Sequence, residues 1–435
     1  MHQPQQSQRA VQPRCHRLAL ALAGAALACI ALPATATDGY FSHGYGMKAK
    51  GRGGASLALA DDAFGGANNP ASMVRAGNRI EAGVDLFMPE RKASRSGLGP
   101  GLDGSSKSSK TLFPVPEFGY NHMASDDLAL GVTVYGNGGM NTTYSGGGFN
   151  CGMGAANMLC GMGTLGVDLS QLVIAPTLSY ALTQEHSLGV APQIVWQRFK
   201  AEGLQAFSMV SQSPGNLTNR GYDTSSGVGV RIGYLGRFGD SFSLGVTYSS
   251  KVKMSRFKKY QGLFAGNGDF DIPENYGVGV AFKPMPATTV SLDYNRINYS
   301  KVRSIGNQSL VPFPLGNPSG PGFGWRDVDV VKLGVDYAVN DRLTVRGGYN
   351  HSKNPITPAN VTFNILAPGV ITDHATLGMT YVTDGGGEVT VAYMHAFKQS
   401  VKGASILPVF MGGMPAGQEE ISMYQNAIGI QYAWK

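Results

Sequence analysis

The sequence predicts an all-β protein: a fourteen-stranded antiparallel transmembrane β-barrel with an N-terminal hatch, or plug, containing short helices. Three observations predict it. After residue 77 the chain breaks into fourteen short segments in which apolar residues alternate with small or polar ones. That is the two-residue period of a strand with two different faces. The gaps between segments alternate, tight then long, as in an even-stranded barrel with turns on one side of a membrane and loops on the other. Finally, only 14% of residues are charged and 61 of 435 are Gly, unlike an ordinary soluble domain. No stretch beyond the leader approaches the ~20 apolar residues of a membrane helix.

Residues 1–36 read as a secretory signal peptide. Arg9, Arg14 and Arg17 form its basic start, Leu18 to Leu32 its apolar run, and Ala34-Thr35-Ala36 its cleavage site. Ile30 to Leu32 continue the apolar run past Cys29, which argues against lipidation there. Three of the seven net positive charges leave with this leader. The remainder is too weakly basic to argue for nucleic acid, which wants a concentrated basic face. Cys15 and Cys29 leave as well. Cys151 and Cys160 lie in a Gly-rich loop of an exported chain and are expected to form a loop disulfide. Nothing near them supplies zinc-like spacing, so no metal is expected.

The segments fall at 78–88, 112–122, 127–135, 171–182, 186–200, 225–239, 241–251, 275–283, 287–299, 328–339, 341–352, 371–382, 386–399 and 420–434. In the first, Ile80, Ala82, Val84, Leu86 and Met88 share one face, and Glu81, Gly83 and Asp85 the other. Leu128, Leu130, Val132 and Val134 repeat the pattern, as do Ile428, Ile430, Tyr432 and Trp434. Tight turns come at Ser125-Asp126, Thr183 to Glu185, Gly239-Asp240, Pro284 to Pro286, Asn340-Asp341 and Asp384 to Gly386. The other seven connections are long. Short turns face the periplasm in such barrels, so both barrel ends lie there. Aromatic residues at strand ends fit interfacial girdles, against the alternative of a soluble sandwich. Barrels of this kind typically end in an aromatic residue that the assembly machinery reads; here Trp434 is followed by Lys435.

Residues 37–77 do not fit the barrel (78–435). Small residues dominate them, with a short helical stretch expected around 56 to 63, and such a piece suits a plug in the lumen. The glycine-rich start, the stretch Ala60-Asp61-Asp62-Ala63, and Asn69-Pro70-Ala71 just before the first strand resemble the FadL/TodX-type outer-membrane transporters. The resemblance covers the whole mature chain. It implies a hatch whose motif is Asn69, Pro70 and Ala71, no cofactor, and a hydrophobic small molecule as cargo, a long-chain fatty acid or an aromatic hydrocarbon. It also implies capture by outer loops and sideways release through a kink in the third strand. That strand runs into Gly136-Asn137-Gly138-Gly139, where glycines can bend a strand and open the wall.

The family's outer groove is built by the third and fourth outer loops, here 201–224 and 252–274. Leu204, Phe207, Met209 and Val210 lie in the former, and Phe257, Tyr260, Leu263 and Phe264 in the latter. Exposed apolar clusters of this kind mark binding surfaces. Lys251, Lys253, Arg256, Lys258 and Lys259 suit lipopolysaccharide phosphates, or a carboxylate. By alternation Glu81, Asp85, Arg231, Asp293, Lys332, Asp336 and Arg346 point into the lumen. They are expected chiefly to form hatch-to-wall ion pairs, with Arg231 and Arg346 as candidates for a carboxylate.

Enzymatic chemistry is not expected. Gly161 to Gly166 matches a dinucleotide-binding pattern but sits in no βαβ unit. Asp373, His374 and the many serines lack a nucleophile elbow. The expected protein is a monomeric, passive transporter in the bacterial outer membrane, its partners being its cargo, lipopolysaccharide, outer-membrane lipid and the assembly machinery. A general porin for polar solutes and an adhesin are the alternatives.

Overall fold

Fourteen strands hydrogen-bond to one another in sequence order, and the last pairs with the first. They are β1 (Arg79–Ser96), β2 (Phe113–Met123), β3 (Leu128–Tyr144), β4 (Leu165–Ala181), β5 (His186–Glu202), β6 (Asp223–Phe238) and β7 (Phe242–Ser249). Then come β8 (Asn275–Met285), β9 (Thr288–Ile297), β10 (Val328–Ala338), β11 (Leu343–Ser352), β12 (Asp373–Val382), β13 (Glu388–Ala404) and β14 (Gln418–Trp434). The register from Ile80↔Trp434 to Ser96↔Gln418 closes the barrel without a free edge. This computed structural model describes residues 38–152, 154–411 and 417–435; the signal peptide, with Cys15 and Cys29, lies outside them. Among the described residues no helix is long and apolar enough to cross a membrane.

Six connections are tight and seven are long loops, L1 to L7 in chain order. Outward positions expose Leu130, Ile232, Leu292, Val335 and Ile430. At the short-turn end Phe238, Phe242, Phe282, Tyr381 and Trp434 are also exposed. Near the loop end Tyr248, Tyr294 and Tyr349 donate hydroxyl bonds to Glu274, Asp329 and Asp373. Two aromatic belts thus bracket an apolar band, the outer surface of an outer-membrane barrel.

The wall is uneven. β1, β3 to β6, β13 and β14 have 16–18 residues, while β8 to β12 have 10 or 11. About ten residues cross a membrane, so the long strands rise beyond it. The charged run Pro89 to Lys92 suggests an end to the first strand, yet β1 continues through it to Ser96.

Residues 38–78 fill the lumen. A short helix α1 (Met47–Gly51), a 3-10 turn at Pro70–Ser72 and a second helix α2 (Met73–Ala76) are its regular elements. The helix expected around 56 to 63 does not form. Its backbone donors are taken by the wall instead: Asp293 Oδ2 accepts from the N–H groups of Ser56 (2.7 Å) and Leu57 (3.0 Å).

The hatch motif has a physical reason. Asn69 Oδ1 accepts from Ala71 N, and Asn69 Nδ2 donates to Leu57 O and to Tyr234 O of the wall. Pro70 follows as a favoured first residue of a helical turn. The triplet lies on Gly189 and Gly233, which face each other across β5 and β6. A Cβ on Gly233 would stand 2.0 Å from Asn69 Oδ1, and one on Gly189 2.2 Å from the Pro70 carbonyl carbon. Only glycine leaves room for the motif.

Buried charge ties hatch to wall. Lys50 Nζ lies 2.9 Å from Asp85 and 2.6 Å from Glu117. Lys48 meets Glu388 at 2.8 Å, and Arg52 bridges Asp61 (2.7 Å) and Asp336 (2.8 Å). Lys332 donates to His43 O at 2.8 Å.

Candidate functional site

The barrel holds an apolar pocket beneath its loops, and its sheet is interrupted between β2 and β3. L3 to L6 fold over the short strands β8 to β12 and line an apolar pocket. Leu204 and Phe207 come from L3, Leu263 and Phe264 from L4, and Phe199 from the top of β5. Phe257 and Tyr260 stand behind, their rings 5.6 Å and 4.9 Å from that of Phe199. Val210 packs half-buried against the same cluster.

Met209 does not join them. Gln205–Val210 is a 3-10 helix, in which residues three apart share a face. Phe207 and Val210 therefore point in, and Met209 is 98% exposed. Loops 201–224 and 252–274 also do not complete the site. Leu315 and Phe323 of L5 and Phe363 and Leu366 of L6 close it, residues whose irregular loops carry no periodic signal.

A second pocket lies against the wall. Phe87, Phe113, Met140, Met423, Trp325 and Tyr40 of the hatch line it, together with Arg91 and Asn141. The two cavities are neighbours along the chain: Phe323 and Leu366 line the outer one, Trp325 and Ala367 the inner. Trp325 is held by a 2.6 Å bond from its Nε1 to Asn364 Oδ1. Its ring stands 6.0 Å from Tyr40 and 5.2 Å from Tyr299.

The inner cavity abuts a break in the sheet. β2 pairs with β1 over its length from Phe113 to Asn121, but with β3 only from Phe118 to Met123. Above Phe118↔Val134 the two strands part, until a lone bridge joins Ser108 to Tyr144. Two prolines explain the break. Tyr120 points its carbonyl toward Gly131 of β3. Pro114 and Pro116 share that parity and have no N–H to offer β3. On the facing strand Asn137 is the extra residue of a bulge, since Gly136 pairs with Leu172 and Gly138 with Gln171. Gly136, Gly138 and Gly139 flank it.

The hatch covers this seam from inside. Gly139 N donates to Tyr40 O, and Asn137 O accepts from Ser42 N and from the Tyr45 hydroxyl. A Cβ on Gly138 would stand 1.8 Å from Tyr40 O. The seam edge is thus capped by a hatch segment rather than by a neighbouring strand.

The remaining predicted residues sit elsewhere. Arg231 lines a polar cavity beside the hatch and donates to Asn68 O and Asn275 Oδ1. Arg346 lies 3.3 Å from Asp336 and donates to Thr380. Neither reaches an apolar cavity. Cys151 and Cys160 are disulfide-bonded in L2, with Cα atoms 5.6 Å apart. In L4, Lys251 pairs with Asp271 at 2.8 Å, while Lys253, Arg256 and Lys258 face solvent. Asp269 beside them has its carboxyl pushed up to about 6 by burial and by the charge of Asp271. Among the described residues no cluster of His, Cys, Asp or Glu could hold a metal ion.

A plugged fourteen-stranded barrel with a covered opening in its wall is an outer-membrane transport protein. The chain belongs to the outer membrane protein transport protein family (OMPP1/FadL/TodX), whose sequence profile matches residues 28–406. Among solved structures, a Pseudomonas aeruginosa FadL homologue is similar with a TM-score of 0.69 at 15% identity, over 91% of this chain and 99% of that one. The Pseudomonas putida toluene transporter TodX gives 0.64 at 19% identity, over 89% and 98%. The Ralstonia pickettii toluene transporter TbuX gives 0.60 at 18%, over 90% and 98%. At such identities these likenesses speak for the fold alone. None of the curated sequences compared matches the chain.

Proposed function

We propose that the protein passively carries hydrophobic small molecules, long-chain fatty acids or aromatic hydrocarbons, across the outer membrane. They enter the cavity under L3 to L6, pass Trp325 into the inner cavity, and leave sideways through the seam between β2 and β3. The carrying observation is a pair of largely apolar pockets lined by adjacent residues of L5 and L6, the inner one against a wall seam, above a hatch fastened by buried ion pairs. Apolar walls favour apolar cargo at about 25 cal/mol per Å² of surface removed from water. Lipopolysaccharide bars such molecules, and a shielded path with a sideways exit bypasses it. The similar structures named as toluene transporters support the cargo class. Lys253, Arg256 and Lys258 are placed to meet lipopolysaccharide phosphates, and β14 presents its terminal aromatic to the assembly machinery. The protein works as a monomer and not as an enzyme.

Uptake of labelled oleate and of toluene by a transporter-deficient bacterium expressing the chain tests this reading. Uptake of either above the empty vector is expected. No uptake of either, with the protein folded in the outer membrane, would sink it.

A further inference from the structure

We propose that a groove on the outer wall, across β4 to β7, holds one membrane phospholipid, an acyl chain in the groove and the phosphate at the turn Thr183 to Glu185. The site lies on the opposite face of the sheet from the cargo path and goes beyond the transport reading.

The groove follows from the register. Tyr180, Leu188, Tyr234 and Val246 stand side by side on four successive strands and form one bank. Two residues away on each strand, Leu178, Val190, Ile232 and Tyr248 form the other. Between them Gly189, Gly233 and Thr247 offer bare backbone to the outside and line the floor. The long rings of Tyr180, Tyr234 and Tyr248 stand above the short Val190 and Val246. Tyr234 shares a 2.8 Å hydrogen bond with His186 Nδ1, and Tyr248 donates to Glu274. Their hydroxyls are thus engaged, and the groove presents apolar ring and aliphatic surface. From inside, the same two glycines seat Asn69 and Pro70, so groove and hatch motif share one layer of backbone.

The groove is continuous with the apolar band that faces lipid, which names the occupant's class. Every neighbour there is already apolar, so burial alone selects nothing; close packing does. A chain lying between the two banks is touched on three sides, and one on a flat wall on one side. Charge places the other half of the molecule. Leu182, at the lower end of the groove, leads into the turn Thr183 to Glu185, on the periplasmic side where the membrane leaflet is phospholipid. Arg75 Nη2 donates to Thr183 O at 2.6 Å, and Arg237 N donates to Glu185 O. Among the described residues neither guanidinium is ion-paired, and the two charges repel each other. Glu185 faces His186 instead, at 3.9 Å. A phosphate beside this turn relieves that repulsion and accepts charge-assisted hydrogen bonds.

The test is native mass spectrometry of the purified, detergent-solubilised protein with palmitoyl-oleoyl phosphatidylethanolamine, beside thermal unfolding with and without that lipid. One lipid per barrel should survive detergent exchange and raise the Tm, as a ligand of the folded state does. Val190→Trp fills the groove and should cut retention about tenfold and cancel the rise in Tm. Val335→Trp, at an equally exposed outward position on β10, should change neither. Should the Val190 variant misfold, Arg75→Gln carries the test. It should weaken the phospholipid several-fold and leave dioleoylglycerol, which lacks the phosphate, unchanged. Wild-type protein that retains no lipid, or equal losses in the two Trp variants, would overturn the site and leave ordinary lipid contact. A dimer dispersed by Val190→Trp would overturn it in favour of a second copy of the chain.

Discussion

The floor and the roof of this barrel are filled by opposite chemistry. In the lower lumen Lys48, Lys50 and Arg52 of the hatch face Asp85, Glu117, Asp336 and Glu388 of the wall. Above, Phe199, Phe207, Phe264, Phe323 and Phe363 enclose a space with one polar side chain, Ser304. Ion pairs out of water demand fixed partners, because each charge left alone is expensive. Apolar contacts are non-directional and let a guest replace a neighbour. On the proposed function, the floor stays shut and the roof exchanges what it holds. The seam lies between them, its edge capped by hatch residues Tyr40 to Ser42.

The comparison breaks most visibly if the floor is removed. Deleting residues 40–76 should turn a non-conducting barrel into an open pore, read as single-channel conductance in a planar bilayer. A barrel still closed after the deletion would mean that the loops, not the hatch, block the lumen. Next in size, Lys50→Met should strand Asp85 and Glu117 as neighbouring buried acids. A loss of about 3–5 kcal/mol is expected in denaturant unfolding, as for one partner taken from a buried ion pair. A loss below about 1 kcal/mol would mean that water already screens the floor.

The roof should answer differently. Phe207→Ala removes a cavity-lining ring and should weaken binding of an apolar ligand several-fold, while Met209→Ala, two residues on but facing solvent, should change nothing. Equal effects would place the L3 helix the other way round.

The smallest effect concerns pH. The Asp269 carboxyl in L4 is raised to about 6 by burial and by Asp271, against Lys251 and Arg303. Its folded pKa lies above its unfolded one, so the folded loop binds the proton more tightly. That stabilisation is full below about pH 4 and is lost as pH rises through 6. L4 should therefore resist limited proteolysis better at pH 5 than at pH 7.5, and Asp269→Asn should flatten the difference. A loop more resistant at the higher pH would reverse the sign and refute the assignment.

The strands were the legible part, because a wall between lipid and lumen imposes the two-residue period residue by residue. Their upper ends were harder to read: Glu90 to Lys92 resemble a loop, although Phe87, Arg91, Ala93 and Arg95 keep the inward parity. Following that parity would have found Arg91. Phe113-Pro114-Val115-Pro116 also stood in plain view, two prolines of one parity announcing a lost ladder. Asn69-Pro70-Ala71 was legible as a motif, but its seat on Gly189 and Gly233 depends on a pairing more than a hundred residues away. Trp325 and Phe363 were invisible, since irregular loops meet only through tertiary packing.

The central claim, that cargo leaves through the wall, is tested most directly by deleting Asn137. Without the bulge residue β3 loses its extra position opposite β4, and the segment that Tyr40 to Ser42 cover is drawn into regular register. Labelled oleate and toluene uptake should be measured beside wild type, with folding in the outer membrane verified. The account predicts that uptake falls to the empty-vector level while the barrel stays non-conducting. Uptake at the wild-type rate would contradict it and send the cargo down through the hatch instead.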